Sequence, residues 1–302
     1  MNKLHGIIYA VSSAVAFGTI PLFAVTAYSG GTNAITTAFL RFFIASLILF
    51  CILRFRRTPM AVDRKLLGRL SYVSIAGYSA TCITLFLSYE YISIGLATTL
   101  HFTYPAIVSV LSFFMLKEKL EPMKLFSLGL SITGVYILAG SSEAAASLKG
   151  VISALASGVF YSIYTIELAR QEIKAMEGLL LTFYVCMFSS VAVFLFGAAT
   201  GKLIFTIQFS GMLSILGLAL VCTVFAILTY YKAIQSIGPS DTAILSTFEP
   251  VTGVLLGILI FGEKLSLTTS IGSLLIIASV LFFSYNRSIK ARAKEISDVP
   301  DN

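Results

Sequence analysis

The sequence predicts an all-α polytopic membrane protein, with ten transmembrane helices arranged as two inverted five-helix repeats. Three observations carry this expectation. Of 302 residues, 57% are hydrophobic and only 12% are charged, half the roughly 25% charged content of a soluble domain. Apolar runs of membrane-spanning length alternate with short basic gaps. The second half of the chain repeats the first.

A span needs about 20 apolar residues. Reading between charge clusters and turn residues gives ten segments, near 5–25, 32–53, 67–88, 94–116, 123–140, 150–167, 177–198, 209–230, 239–261 and 266–285. The connections are short, leaving no room for an extramembrane domain. The polar tail, 287–302, is expected to be loose. The start of the chain also resembles a secretory signal with cleavage after Ala27. That reading is rejected, because the segment has a copy later in the chain.

The net charge of +7 does not point to nucleic acid, since the basic residues sit in the gaps and set topology. With ten spans both termini share a side. If that side is inside, the inner segments hold 17 Lys and Arg, the outer loops hold only Lys149, Lys202 and Lys264, and Arg41 lies within a span. Both termini are therefore expected to be cytoplasmic, in a cell (inner or plasma) membrane. Cys51, Cys82, Cys186 and Cys222 all fall in apolar stretches, with no metal or CxxC spacing.

The repeat is read directly. "HGIIYAVSSAVAFG" from His5 matches "KGVISALASGVFYS" from Lys149 at an offset of 144, pairing Gly6 with Gly150 and Ser13 with Ser157. "SYEYISIGLATTLHFTYPAIVSVLSFFMLKEKL" from Ser88 aligns without a gap on "AIQSIGPSDTAILSTFEPVTGVLLGILIFGEKL" from Ala233, at an offset of 145. The units run over 1–140 and 141–286. Five spans per unit is odd, so the second copy enters the membrane upside down. Two inverted halves can exchange conformations and open a central site to either face.

These blocks, with "LRFF" (Leu40–Phe43) in the second span and "SYEYIS" before the fourth, resemble the EamA-type drug/metabolite transporter superfamily. The likeness runs from about Gly6 to Phe283. It implies a ten-span carrier for small metabolites with a central cavity. Members export amino acids and other metabolites, import small solutes, or move sugars and nucleotide sugars. Many carry a Trp in the first or sixth span, where this chain has Phe17 and Tyr161.

Candidate cavity residues follow from what lipid tolerates. Pro105 and Pro250 cannot donate to the carbonyls of His101 and Ser246, and Pro21 frees that of Phe17. A freed carbonyl in a bilayer must find protein or water, so these prolines predict helix breaks beside a polar cavity. Glu249, His101 and Arg41 are ionisable within spans, where charge is costly and tends to face a cavity or a partner. Glu249 is the repeat counterpart of Tyr104, so Glu249, His101 and Tyr104 are expected to converge where spans 4 and 9 cross. A carboxylate out of water can hold a proton near neutrality, which suits proton coupling or capture of an ammonium. Arg41 suits a substrate carboxylate or a helix lock. Phe17, Tyr78, Phe102, Tyr161, Tyr164, Tyr184 and Phe248 are candidates for an aromatic wall.

Other features read as structural. Glu90, Glu167, Lys232 and Asp241 are expected as solvated caps. Gly253-x-x-x-Gly257 permits close packing, against span 4 or in a dimer. The chain is expected to be a secondary transporter, an exporter of an amino acid or related amine in particular, without cofactor, as monomer or homodimer. The alternative, an intramembrane enzyme or lipid-handling protein, would need a nucleophile with its base, a metal set or paired acids. A channel would want pore symmetry between subunits.

Overall fold

The computed structural model describes residues 3–92, 94–119, 121–139, 147–261, 267 and 270–283. Among these residues the structure is helical, without strands. In chain order the helices are α1 (Lys3–Ser29), α2 (Ala34–Phe55), α3 (Arg64–Ser88), α4 (Ile94–His101), α5 (Tyr104–Leu116), α6 (Pro122–Ala139), α7 (Leu148–Leu168), α8 (Gly178–Ala199), α9 (Phe209–Ile237), α10 (Pro239–Ser246), α11 (Phe248–Phe261) and α12 (Ser270–Phe283). Seven segments are long and apolar enough to cross a bilayer: α1, α2, α3, α7, α8, α9, and α10 with α11 taken together. α5, α6 and α12 are apolar but shorter. Leu259, Phe114, Leu274 and Leu195 point outward from the bundle, as side chains solvated by lipid rather than water do.

The halves interlock rather than sit side by side. α2 packs on α8, α1 on α9, α3 on α7, and α5 on α10. In the repeat, α1 corresponds to α7 and α3 to α9, so the α1–α9 and α3–α7 contacts are the same contact made twice. The glycines that open the repeat explain its tightness. A Cβ on Gly6 would stand 2.6 Å from Ile237 Cγ2, and one on Gly150 would stand 2.7 Å from Ile92 Cγ2. Gly6 corresponds to Gly150, and Ile237 to Ile92.

α1, the α4–α5 segment and the α10–α11 segment are each interrupted. The breaks fall at Thr19, at Phe102–Thr103 and at Thr247. Each is built alike: a threonine hydroxyl donates to the carbonyl three residues back, Thr19 to Ala16 (2.7 Å), Thr103 to Leu100 (2.8 Å) and Thr247 to Ile244 (2.6 Å). A proline follows two or three residues later. The proline removes a backbone donor, and the hydroxyl joins the threonine's own N–H, 3.2 Å away in each case, on the same carbonyl.

α3 and α9 carry π-helical stretches at equivalent places, Val73–Ser79 and Leu220–Phe225. In each a hydroxyl reaches back five residues, Ser79 to Ser74 O (2.8 Å) and Thr223 to Leu218 O (2.9 Å).

Two of the expected solvated caps are buried instead. Asp241 is 5% exposed, and its Oδ1 lies 2.9 Å from Lys124 Nζ, which also bonds Glu118 at 3.1 Å. Glu167 is 8% exposed and joins Arg170 (2.7 Å) and Arg69 (3.4 Å). These carboxylates come inside because cations from distant segments meet them there. Arg69 also bonds Glu172, in the one-turn helix Gln171–Lys174, and holds that carboxyl below the usual range. Glu90 is exposed and paired with Lys202, while the Lys232 ammonium lies 5.4 Å from the Tyr9 ring centre.

Within the chain, Gly253 faces α1 rather than span 4. A Cβ on it would lie 3.9 Å from the Gly18 carbonyl oxygen, because α11 runs beside α1. Gly18 is the tighter partner: a Cβ there would stand 2.5 Å from Thr252 Cβ and 2.7 Å from the Glu249 carbonyl oxygen. Gly18→Ala is therefore expected to force α1 from α11 and to cost about 1–3 kcal/mol, read as a lower unfolding midpoint in detergent.

Candidate functional site

The three breaks and the α3 π-helical stretch surround a cavity of about 230 Å³. α1 contributes Phe17 and Pro21; α2 contributes Arg41; α3 contributes Tyr78, Cys82 and, further along, Tyr89. The α4–α5 segment contributes Thr98, His101, Phe102 and Tyr104, α7 contributes Tyr161, and α11 contributes Glu249 and Pro250. So Glu249, His101 and Tyr104, carried by the two facing broken segments, do share one space.

Arg41 is 6% exposed, and its neighbourhood is apolar. One guanidinium nitrogen lies 3.5 Å from Cys82 Sγ, and the group sits 4.5 Å from the Phe42 ring centre. Its Nε is buried without a hydrogen-bond partner. Among the described residues no carboxylate comes within 4.0 Å of it, Glu249 included. The cavity thus holds a cation and an acid that do not neutralise each other by contact.

The aromatic wall centres on Tyr161. Its ring is 4.7 Å from Tyr104, edge to face, 5.6 Å from His101, and 6.4 Å from Tyr78. His101 Nδ1 lies 2.9 Å from Ser157 Oγ. The carbonyl that Pro105 frees, that of His101, abuts Gly158 of α7, where a Cβ would come to 3.0 Å. It therefore meets protein rather than open cavity.

Several expected residues lie elsewhere. Pro105 is buried in the α5 packing. Ser246 donates to Thr242 O at 2.9 Å and lies outside the cavity lining. Phe248 packs into the neighbouring core. Tyr164 packs against Tyr78 at 4.9 Å with the rings tilted 40°, outside the cavity lining. Tyr184 is displaced furthest: its hydroxyl donates to Met60 O at 2.6 Å, near the chain-start end of the bundle. Spacing alone does not give the rotation of a helix that is apolar on every side. Cys82 and Thr98 lacked any sequence signal, since a thiol or a threonine in an apolar run is ordinary.

The family profile of the EamA-like transporter family matches residues 4–140 and again 148–285. The chain belongs to this family. It is a multi-pass membrane protein and a transporter by descent. Relatives carry the same description. An "uncharacterized transporter" of Archaeoglobus fulgidus is 28% identical over 273 residues, covering 90% of this chain and 93% of its own. The "uncharacterized inner membrane transporter YicL" of Salmonella typhimurium is 28% identical over 240 residues, covering 76% and 77%. A solved crystal structure superposes with a TM-score of 0.81 over 93% of this chain and 97% of its own, at 16% identity. That likeness shows the fold alone.

Proposed function

We propose that this transporter is a secondary carrier exporting a small metabolite bearing an ammonium, an amino acid or a related amine, across the cell membrane by alternating access. The observation that carries this is the pairing of Arg41 and Glu249 in one aromatic-walled cavity without mutual contact. A zwitterion offers a carboxylate to the first and an ammonium to the second. Charge-assisted hydrogen bonds of this kind are the strong ones, and aromatic faces favour a cation nearby.

Alternating access needs one closed end. The basic residues predict cytoplasmic termini, and on that orientation the cavity extends toward the outside, along Leu85, Tyr89 and Thr98. The opposite end is closed by the Lys124–Asp241 pair and by Ser109 Oγ against Ser240 Oγ at 2.9 Å. This supports an outward-open form. Glu249 would take up a proton when the ammonium leaves, which is how protons would drive export.

The test is a proteoliposome panel of amino acids, amines and sugars, with and without a pH gradient. Amino acids or amines are expected to move and sugars not, with the gradient accelerating transport. Arg41→Gln is expected to weaken amino acids by about tenfold or more while sparing simple amines. Movement of sugars alone, or a Tyr104→Trp variant that transports unchanged, would place the site or the substrate class wrongly.

A further inference from the structure

His101 is a cavity residue whose chemistry depends on one hydrogen. Its Nδ1 is 2.9 Å from Ser157 Oγ, and that same Oγ is 2.6 Å from the Ala154 carbonyl oxygen. A hydroxyl carries a single hydrogen, and a carbonyl can only accept. The Ser157 hydrogen therefore goes to Ala154. The contact with His101 is then a bond only if Nδ1 supplies the hydrogen.

The ring itself is packed among Phe102, Tyr104 and Tyr161, at 5.8, 5.4 and 5.6 Å. Among the described residues it pairs with no carboxylate. An unpaired buried charge is costly, so the ring is neutral and holds one N–H.

We infer that Ser157 is a positioning residue that fixes His101 as the Nδ1–H tautomer, so that a bare Nε2 faces the cavity as a hydrogen-bond acceptor. The repeat isolates this device to one half. Ser13, the counterpart of Ser157, gives its hydroxyl to the Ala226 carbonyl at 2.8 Å, and the counterpart of His101 is Ser246. Ser157 itself is fully buried.

The consequence is a division of labour. A bare Nε2 cannot bind a carboxylate, but it accepts from an N–H or O–H. With Glu249 it gives the cavity two acceptors, against the single guanidinium donor of Arg41. An ammonium, with three hydrogens, satisfies both acceptors at once, and a carboxylate satisfies neither. This consequence rests on the carrier reading above; the tautomer does not.

His5 and His101 are the only histidines in the chain, so a His5→Gln variant leaves one imidazole to observe. Labelled with ¹⁵N-imidazole histidine and placed in nanodiscs, this protein is expected to show one protonated and one bare ring nitrogen, with the proton on Nδ1. Ser157→Ala is expected to move that proton, wholly or in part, to Nε2, and Ser157→Thr to return it. A proton on Nε2 in the parent, a doubly protonated ring, or a pattern that Ser157→Ala leaves unchanged would each overturn the inference. The parent spectrum decides even if the alanine variant does not fold. Phenethylamine is expected to shift Nε2 and phenylpropionate is not, and Ser157→Ala to weaken phenethylamine by about threefold to tenfold. The stated tautomer with no response to the amine would retain the positioning role and sink the ammonium reading.

Discussion

Lys124→Ala is expected to cost about 3–5 kcal/mol, because it takes from a buried carboxylate the cation 2.9 Å away. The lysine ammonium lies 2.9 Å from Asp241 and 3.1 Å from Glu118, and the Lys124 and Asp241 side chains are 8% and 7% exposed. Unfolding of the purified protein in detergent measures the loss. The paired change, Lys124→Met with Asp241→Leu, is expected to recover most of it, since an apolar pair of similar volume is often as stable as a buried ion pair. Under the carrier proposal this double variant should fold yet turn over slowly. Separated charges are rehydrated when an end opens, whereas separated apolar side chains are not. Turnover equal to the parent would show that the triad has no part in closure.

Glu249→Gln is the second large effect. It keeps the shape of the side chain and removes the charge beside the α10–α11 break. Hydrogen bonds to charged groups contribute about 1.5–3 kcal/mol, so affinity for an ammonium-bearing substrate is expected to fall at least about tenfold. The response to a pH gradient should vanish with it. Counterflow in proteoliposomes reads both. An unchanged substrate range and pH response would exclude Glu249 from the proton and ammonium roles.

Hydropathy and the 145-residue offset made the helical membrane class, the repeat and the broken segments legible in the sequence, while seven helices among the described residues are long and apolar enough to span. Glu249 and His101 stood out because ionisable side chains are rare in lipid. The faces of the helices were not legible. In water an apolar stripe marks the inside, but in lipid both faces are apolar, so Tyr184 and Tyr164 could not be told from Tyr161. The buried state of Asp241 was hidden for a different reason. Its partner, Lys124, lies in the other half of the chain, and only the fold brings them together. The threonine at each break carries no signal in the sequence, because threonine is unremarkable in an apolar run and its part lies in a hydroxyl bond to the carbonyl three residues back.

The matched π-helical stretches, Val73–Ser79 and Leu220–Phe225, have a bearing on how this chain can change by insertion and deletion. A π-turn accommodates one residue more than an α-turn. Deleting a single residue from the first stretch would let α3 close into a regular helix with the residues beyond it still on their faces, whereas the same deletion in a plain α-helical part of the span would turn everything beyond it by about 100°. Cys82, Tyr89 and the rest of the α3 lining would keep their places in the first case and leave the cavity together in the second. A span that hydropathy scores as unchanged would then have lost its site. Where this helix loses a residue decides whether the site survives.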